Sequence, residues 1–353
     1  MLPTRLLAFL LALAPAATAQ FLPDGAERWA STSDGAVRNY VVEFGTARAE
    51  GDTVVVLHGG FGAEHSYLID PLLPLTDRYR FVLYDQRGSL RSPVPPGADS
   101  LITLAAMVED LEMLRRQLGL RQLTLLTHSM GAITAYAYLS RYPDRVRGLA
   151  LTAPALPVWE DSFDGPPTDP RLVAAADTAA ASERYRRYWA MAEARMATEL
   201  QGEGLSELDT LSMDTLLRSA PGVQKRSFHR WQVRFAGVNL HDPSRWREIR
   251  GGHVFYNQRV ADAVFADPTL EAWWGTFLDE LEGFDGPVAV VIGDDDFLDP
   301  EAVLWAGITD RLAQGRLTVL ERAGHVFWID RPAASADALR AALAHATGAR
   351  EGR

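Results

Sequence analysis

The sequence predicts an α/β fold, a mostly parallel sheet flanked by helices, with a helical segment inserted into it. Three observations carry this. Short continuous apolar runs, such as Thr53–Leu57 and Leu123–Thr127, suit strands buried on both faces. Helical patterns alternate with these runs, as parallel strands require. The alternation stops after residue 155 and resumes at residue 284, with no buried-strand run between. A chain of 353 residues, 47% of them hydrophobic, has material for one core with such an insertion.

Residues 1–19 stand outside that core. Arg5 precedes the apolar run Leu6–Ala14, and Ala17-Thr18-Ala19 forms a small-x-small site. This is the pattern of a secretory signal peptide cut after Ala19, so a periplasmic or secreted protein is expected. The apolar run is too short to span a bilayer, and no membrane span is expected in the mature chain.

The first part of the core covers residues 20–155. Val37–Gly45 alternates like a half-exposed strand, and Thr53–Leu57 and Tyr79–Gly88 read as buried ones. Leu104, Val108, Leu111, Leu114 and Leu118 mark a helix, with Thr103 placed to cap its start and Gly119 its end. Leu123–Thr127 is the next strand. Ser129–Arg141 reads as a helix stopped by Pro143, and Val146–Pro154 as a strand. Residues 156–283 form the expected helical cap. It opens with the loop-like Phe163–Asp169 and continues through Ala-rich and Arg/Glu-rich helical stretches. Its recurring aromatics, Trp189 and Trp273 among them, read mainly as packing, with a few as walls of a pocket. The core resumes over residues 284–353. The strand Val288–Ile292 leads, followed by a helix near Glu301–Leu312, a strand within Arg316–His325 and a helix over Arg331–His345.

The absence of cysteine excludes disulfides, a thiol nucleophile and thiolate metal sites. A net charge of −11 argues against nucleic acid as a partner. There is no H-E-x-x-H, and the histidines lack ligand spacing. No metal and no cofactor are expected, and a small-molecule or short-peptide substrate is. Nothing in the sequence assigns an oligomeric state.

The chemistry gathers at strand ends, where open α/β sheets place their sites. The stretch "LTLLTHSMGA" (Leu123–Ala132) runs a strand into Ser129 and then into a helix. It matches the nucleophile turn G-x-S-x-G except that Thr127 replaces the first glycine. Taken alone, Ser129 is equally well a helix N-cap. The other strand ends favour a nucleophile. They deliver His58-Gly59-Gly60, the acidic cluster Asp294-Asp295-Asp296, and Gly324-His325. A serine hydroxyl needs a base, and the base needs a carboxylate to orient it. His325 is the best placed base, since His58 reads as structural and His128 as turned away from Ser129. The chain order Ser…Asp…His is that of α/β-hydrolases.

Over roughly Val37–Pro154 and Pro287–Pro332 the chain resembles an α/β-hydrolase with a helical cap. "HGGFG" (His58–Gly62) and "DQRGSLRS" (Asp85–Ser92) resemble motifs of the proline iminopeptidase group. "HSMGA" and "AGHVFWIDRP" (Ala323–Pro332) are typical of the wider superfamily. The resemblance implies Ser129 as nucleophile and His325 as base. It aligns "GDDDFLDP" (Gly293–Pro300) so that Asp296 becomes the acid, with Asp294 the second choice. Asp295 and Asp299 then read as surface or turn residues. The backbone N–H groups of Gly60 and Met130 become the oxyanion donors, and glycine at 60 permits close approach to substrate. Asp85 and Arg87 read as a charge-assisted tie within their own loop. Three departures stand out. Phe61 replaces the group's usual proline, Leu90 replaces the second glycine of the DQRG motif, and Met130 stands where a tryptophan is frequent. The cap glutamates Glu183, Glu193, Glu199, Glu203 and Glu207 do not align with those that hold a substrate amine in the group. They read as solvated helix faces.

The expected function is therefore a serine hydrolase working through an acyl-enzyme, of proline iminopeptidase type. Carboxylesterase is the alternative. A non-catalytic ligand-binding protein on the same fold is the alternative from another class.

Overall fold

In the computed structural model, residues 26–47, 49–158, 178–205, 221–249 and 257–348 are described. The expected signal peptide, the loop Phe163–Asp169 and Glu207 lie outside them. Eight strands form a single sheet. They are β1 (Ala26–Ser31), β2 (Arg38–Gly45), β3 (Thr53–Leu57), β4 (Arg80–Tyr84), β5 (Leu123–His128), β6 (Val146–Thr152), β7 (Val288–Gly293) and β8 (Gly315–Leu320). Their order is β1-β2-β4-β3-β5-β6-β7-β8. Pairing is antiparallel for β1 with β2 and for β2 with β4, and parallel everywhere else.

The main helices are α1 (Leu104–Gln117), α2 (Gly131–Arg141), α3 (Thr178–Gly202), α4 (Pro221–Asn239), α5 (Gln258–Phe265), α6 (Leu270–Trp274), α7 (Phe277–Glu282), α8 (Val303–Thr309) and α9 (Pro332–Ala346). Helix α1 starts where Thr103 accepts a hydrogen bond from the Ala106 N–H at 3.1 Å, and Gly119 follows it at φ 70°. Both ends are as the sequence places them. Leu104, Val108, Leu111 and Leu114 all face inward. Burying each contributes roughly 1.5–3 kcal/mol relative to exposure. Helices α1, α2 and α8 cover one face of the sheet. Helix α9 and the turns through Tyr67–Leu75 cover the other. The described part of the insertion carries helices α3 to α7.

Two local readings change. The sequence does not mark β1, whose edge position leaves Trp29 46% exposed under the Arg38 guanidinium. With β1 beside it and both faces covered, β2 is a buried strand and not a half-exposed one.

The winding of the sheet places the site. From β3 the chain moves outward to β4, then returns across β3 to reach β5. This reversal opens a crevice at the carboxyl ends of β3 and β5, where such folds bind ligands. The Gly59-Gly60 loop leaves β3 there, and Ser129 follows β5.

Candidate active site

Ser129 sits on the turn between β5 and α2 with φ 52°, a left-handed conformation that is rare for a residue with a Cβ. Helix α2 begins only at Gly131, so Ser129 lies ahead of it and is not inside it. The turn is held by the backbone. The Ser129 N–H donates to the Thr152 carbonyl at 3.1 Å, and the Ser129 carbonyl accepts from Ala132 and Ala155 at 3.0 and 3.2 Å. Crowding explains the neighbouring glycines. A Cβ on Gly131 would lie 2.5 Å from the Leu57 carbonyl oxygen, and one on Gly59 would lie 2.7 Å from the Ser129 Cβ. Thr127 occupies the position of the missing glycine. It is fully buried, and its hydroxyl has no hydrogen-bond partner, an uncompensated polar burial.

Asp296 and His325 come together from adjacent strands. Gly293 permits this, because a Cβ there would lie 2.0 Å from the Ala323 carbonyl oxygen. His325 Nδ1 lies 2.9 and 3.0 Å from the two Asp296 oxygens, and Asp296 also accepts from the Leu298 N–H at 2.9 Å. The carboxylate therefore fixes the ring with the proton on Nδ1 and leaves Nε2 for other partners. Asp296 is wholly buried, while Ser129 and His325 retain slight exposure. The His325 ring lies 4.8 Å from His128, the residue before Ser129.

The other acidic residues of this loop separate by role. Asp294 accepts from the Ala323 N–H at 3.1 Å and so braces the His325 loop. Asp295 is not a plain turn residue. It binds Arg195 of α3 at 2.5 Å and His241 at 3.1 Å, tying core to cap. Asp299 is not at the surface either. It is fully buried, accepts from the N–H groups of Leu304 and Trp305 at the start of α8, and is pushed up to about 7 by burial.

The loop after β3 carries Gly60 at φ 63° and Gly62 at φ 97°, with the Ala63 N–H closing a turn onto the Gly60 carbonyl at 3.0 Å. Among the described residues, no protein acceptor takes the N–H of Gly60 or of Met130. His58 is structural as read, accepting from the Gln86 N–H at 3.0 Å, and burial lowers its pKa. Tyr67 escaped the sequence reading. Its hydroxyl accepts from the Gly59 N–H at 2.6 Å and lies 2.7 Å from His128 Nδ1. No motif signals a tyrosine that acts only through its position.

The expected tie between Asp85 and Arg87 does not form. Arg87 binds Asp110 and Asp34, while Asp85 binds His65 Nδ1 at 2.6 Å and accepts from the His65 and Arg91 N–H groups. Glu64, His65 and Asp85 lie close enough together to ligate a metal ion. Glu64 accepts from Ser66 and the His65 Nδ1–H donates to Asp85, which fits a structural cluster beneath the loop, while His65 Nε2 is buried without a hydrogen-bond partner.

The profile of the alpha/beta hydrolase fold matches residues 52–332. The chain belongs to the α/β-hydrolase fold family. A proline iminopeptidase of Lactiplantibacillus plantarum is 26% identical over 295 residues, covering 82% of this chain and 91% of that protein. One from Lactobacillus acidophilus is 37% identical, but only over 109 residues, 30% of this chain and 37% of that protein. The alignments to the first curated relatives thus span little more than a third of their length. Among solved structures, a proline iminopeptidase-related protein from Thermus thermophilus superposes with a TM-score of 0.59 at 26% identity, covering 93% of this α/β-hydrolase and all of its own chain. An esterase from Thermogutta terrifontis shares the fold, with a TM-score of 0.52 at 20% identity over 91% of this chain and 99% of that one.

In this α/β-hydrolase, aromatic rings lead from the core loop after β7 to the cap beside His325. Phe297 lies 4.7 Å from the His325 ring, and Trp189 of α3 lies 6.4 Å from Phe297. The described cap glutamates differ in setting, Glu199 being half-buried. Glu183 pairs with Arg186 in solvent, Glu203 pairs with Arg247, and Glu193 is exposed. Among the described residues, no helix is long and apolar enough to cross a membrane.

Proposed function

We propose that the protein is a serine hydrolase that cleaves an amide or ester through an acyl-enzyme. The observation that carries this is the joint placement of Ser129 at φ 52° on the strand–helix turn and His325 bound to Asp296. In this reading His325 Nε2 takes the Ser129 proton as Oγ attacks the carbonyl. The oxyanion is received by the N–H groups of Gly60 and Met130, each such donor typically worth ~2.7–4 kcal/mol of transition-state stabilisation. His325 passes the proton to the leaving group. It then activates water, which releases the acyl group and restores Ser129.

The preferred substrate is an N-terminal residue of a short peptide, as in proline iminopeptidases. The likeness over most of the chain to the Lactiplantibacillus plantarum protein supports this choice. A second reading, carboxylesterase on small esters, is favoured by Glu183 and Glu203, which are engaged with arginines, and by Glu193, which is exposed. We also propose that the protein works outside the cytoplasm, on the strength of the sequence pattern over residues 1–19.

A fluorophosphonate probe tests the reaction class. It is expected to label the folded protein at Ser129, and Ser129→Ala is expected to abolish labelling. Folded wild type that neither labels nor turns over any amide or ester would establish the non-catalytic reading instead. Comparing proline p-nitroanilide with its N-acetyl form and with a p-nitrophenyl ester separates the two enzyme readings. The aminopeptidase reading requires that blocking the amine lowers the rate.

A further inference from the structure

Phe61 is the residue at which the "HGGFG" loop departs from the proline usual in its relatives' group, and the structure gives it a partner. Its side chain is buried in the same apolar cluster as Val260, Ala261 and Val264 of the cap helix α5. Its ring meets that of Phe265, the last residue of α5, edge to face at 5.9 Å. The backbone is bolted at the same place. The Asn257 N–H, just ahead of α5, donates to the Gly62 carbonyl at 2.9 Å, and the Asn257 side-chain amide reaches the Gly88 carbonyl at 3.4 Å. The fit is tight enough to require glycine. A Cβ on Gly62 would lie 2.3 Å from the Asn257 carbonyl oxygen, and one on Gly88 would lie 2.6 Å from the Val260 side chain. Gly60 sits in the same turn, one residue before Phe61.

We propose that Phe61 and Phe265 are positioning residues through which the cap sets the oxyanion loop. A proline would hold such a turn by its own ring, since φ is fixed covalently. With phenylalanine that restraint is supplied from outside, by the aromatic contact and the Asn257 hydrogen bond. The direction of the Gly60 N–H then depends on the seating of α5. This rests on the proposed role of Gly60, and it adds that a cap residue remote from the reacting atoms acts on the transition state and not on substrate binding.

The test uses the full chain and the best substrate of wild type. It measures kcat, KM, the melting temperature, and inhibition by a trifluoromethyl ketone carrying the same acyl group. The ketone adds Ser129 Oγ, its proton passes to His325, and the new alkoxide occupies the oxyanion position. Phe265→Ala is expected to lower kcat about three- to tenfold, the span of one aromatic pair. KM should change less than twofold, and the ketone's Ki should rise by the factor lost from kcat. Phe61→Pro added to Phe265→Ala should recover kcat, because the proline restores the restraint internally. If the alanine variant does not fold, Phe265→Leu, which keeps apolar bulk, should show a smaller loss of the same kind. Unchanged kcat and Ki alongside a lowered melting temperature would overturn the coupling and leave a merely structural contact. So would a loss that Phe61→Pro does not recover. Wild type that neither turns over substrate nor labels at Ser129 would instead remove the reading of the site, a result distinct from either.

Discussion

At the scale of single residues, the turn at Ser129 concentrates strain. A left-handed residue with a Cβ costs roughly 1–2 kcal/mol, and glycine escapes that cost. Ser129→Gly is therefore expected to be about 1 kcal/mol more stable to urea than Ser129→Ala, although both lack the hydroxyl. Equal stability would mean that the neighbouring backbone, and not the side chain, carries the strain. The left-handed Ser129 was readable from "THSMGA", because a strand running straight into a helix leaves few ways to turn. Strand ends that collect on one edge of a parallel sheet brought the acidic cluster Asp294-Asp295-Asp296 near His325, but singling out Asp296 took the resemblance carried by "GDDDFLDP". The roles of Asp295, Asp299 and Arg87 were not readable. Asp295 and Arg87 depend on charged partners distant in the chain, Arg195 and Asp110, and Asp299 on the backbone N–H groups of Leu304 and Trp305; no local pattern records these meetings.

At the scale of elements, core strands announce themselves by buried apolar runs, whereas the cap is specified by contacts. Its helices show the right composition, but their docking comes from particular pairs. Arg195 of α3 meets Asp295 beside the acid-bearing loop, and Arg187 of the same helix meets Glu301. The two pairs differ in burial. Arg195 and Asp295 are 20% and 16% exposed, while Arg187 and Glu301 are mostly in solvent, where ion pairs contribute little. A double-mutant cycle with Arg195→Met and Asp295→Asn is expected to give a coupling of about 1 kcal/mol in urea unfolding. The same cycle on Arg187 and Glu301 should give a value indistinguishable from zero at physiological salt. The opposite ranking would mean that α3 is seated by apolar packing alone. β1 was missed for an elemental reason too. An edge strand with one exposed face and few β-branched residues carries no periodic signal of its own.

For the whole molecule, acid stability follows from carboxylates held by arginines. Glu112 lies at the centre of α1. Burial alone would raise its pKa, but hydrogen bonds from Arg115, Arg116 and Tyr138 outweigh burial and hold it at about 2. Asp34 is likewise held at about 2, chiefly by Arg87. Both groups ionise more readily folded than unfolded. Their contribution is thus complete above the ordinary carboxylate range and is lost as pH falls from about 4.5 toward 2. Unfolding free energy should decline across that window, and Glu112→Gln should make the decline shallower while lowering stability at pH 7. An unchanged slope in the variant would show that acid sensitivity resides elsewhere.

The hydroxyl of Tyr67 has a consequence that concerns neither strain nor stability. It accepts from the Gly59 amide and faces Nδ1 of His128, whose Nε2 in turn lies 3.2 Å from the His325 carbonyl. With Tyr67 donating to Nδ1, the proton of His128 sits on Nε2 and is directed at the His325 carbonyl. His128 is thereby tied into hydrogen bonds between loops, although its ring is only 4.8 Å from that of His325. The two imidazoles, alike in chemistry and adjacent in space, are told apart by wiring: one joins Tyr67 to the His325 carbonyl between loops, and the other is held by the Asp296 carboxylate.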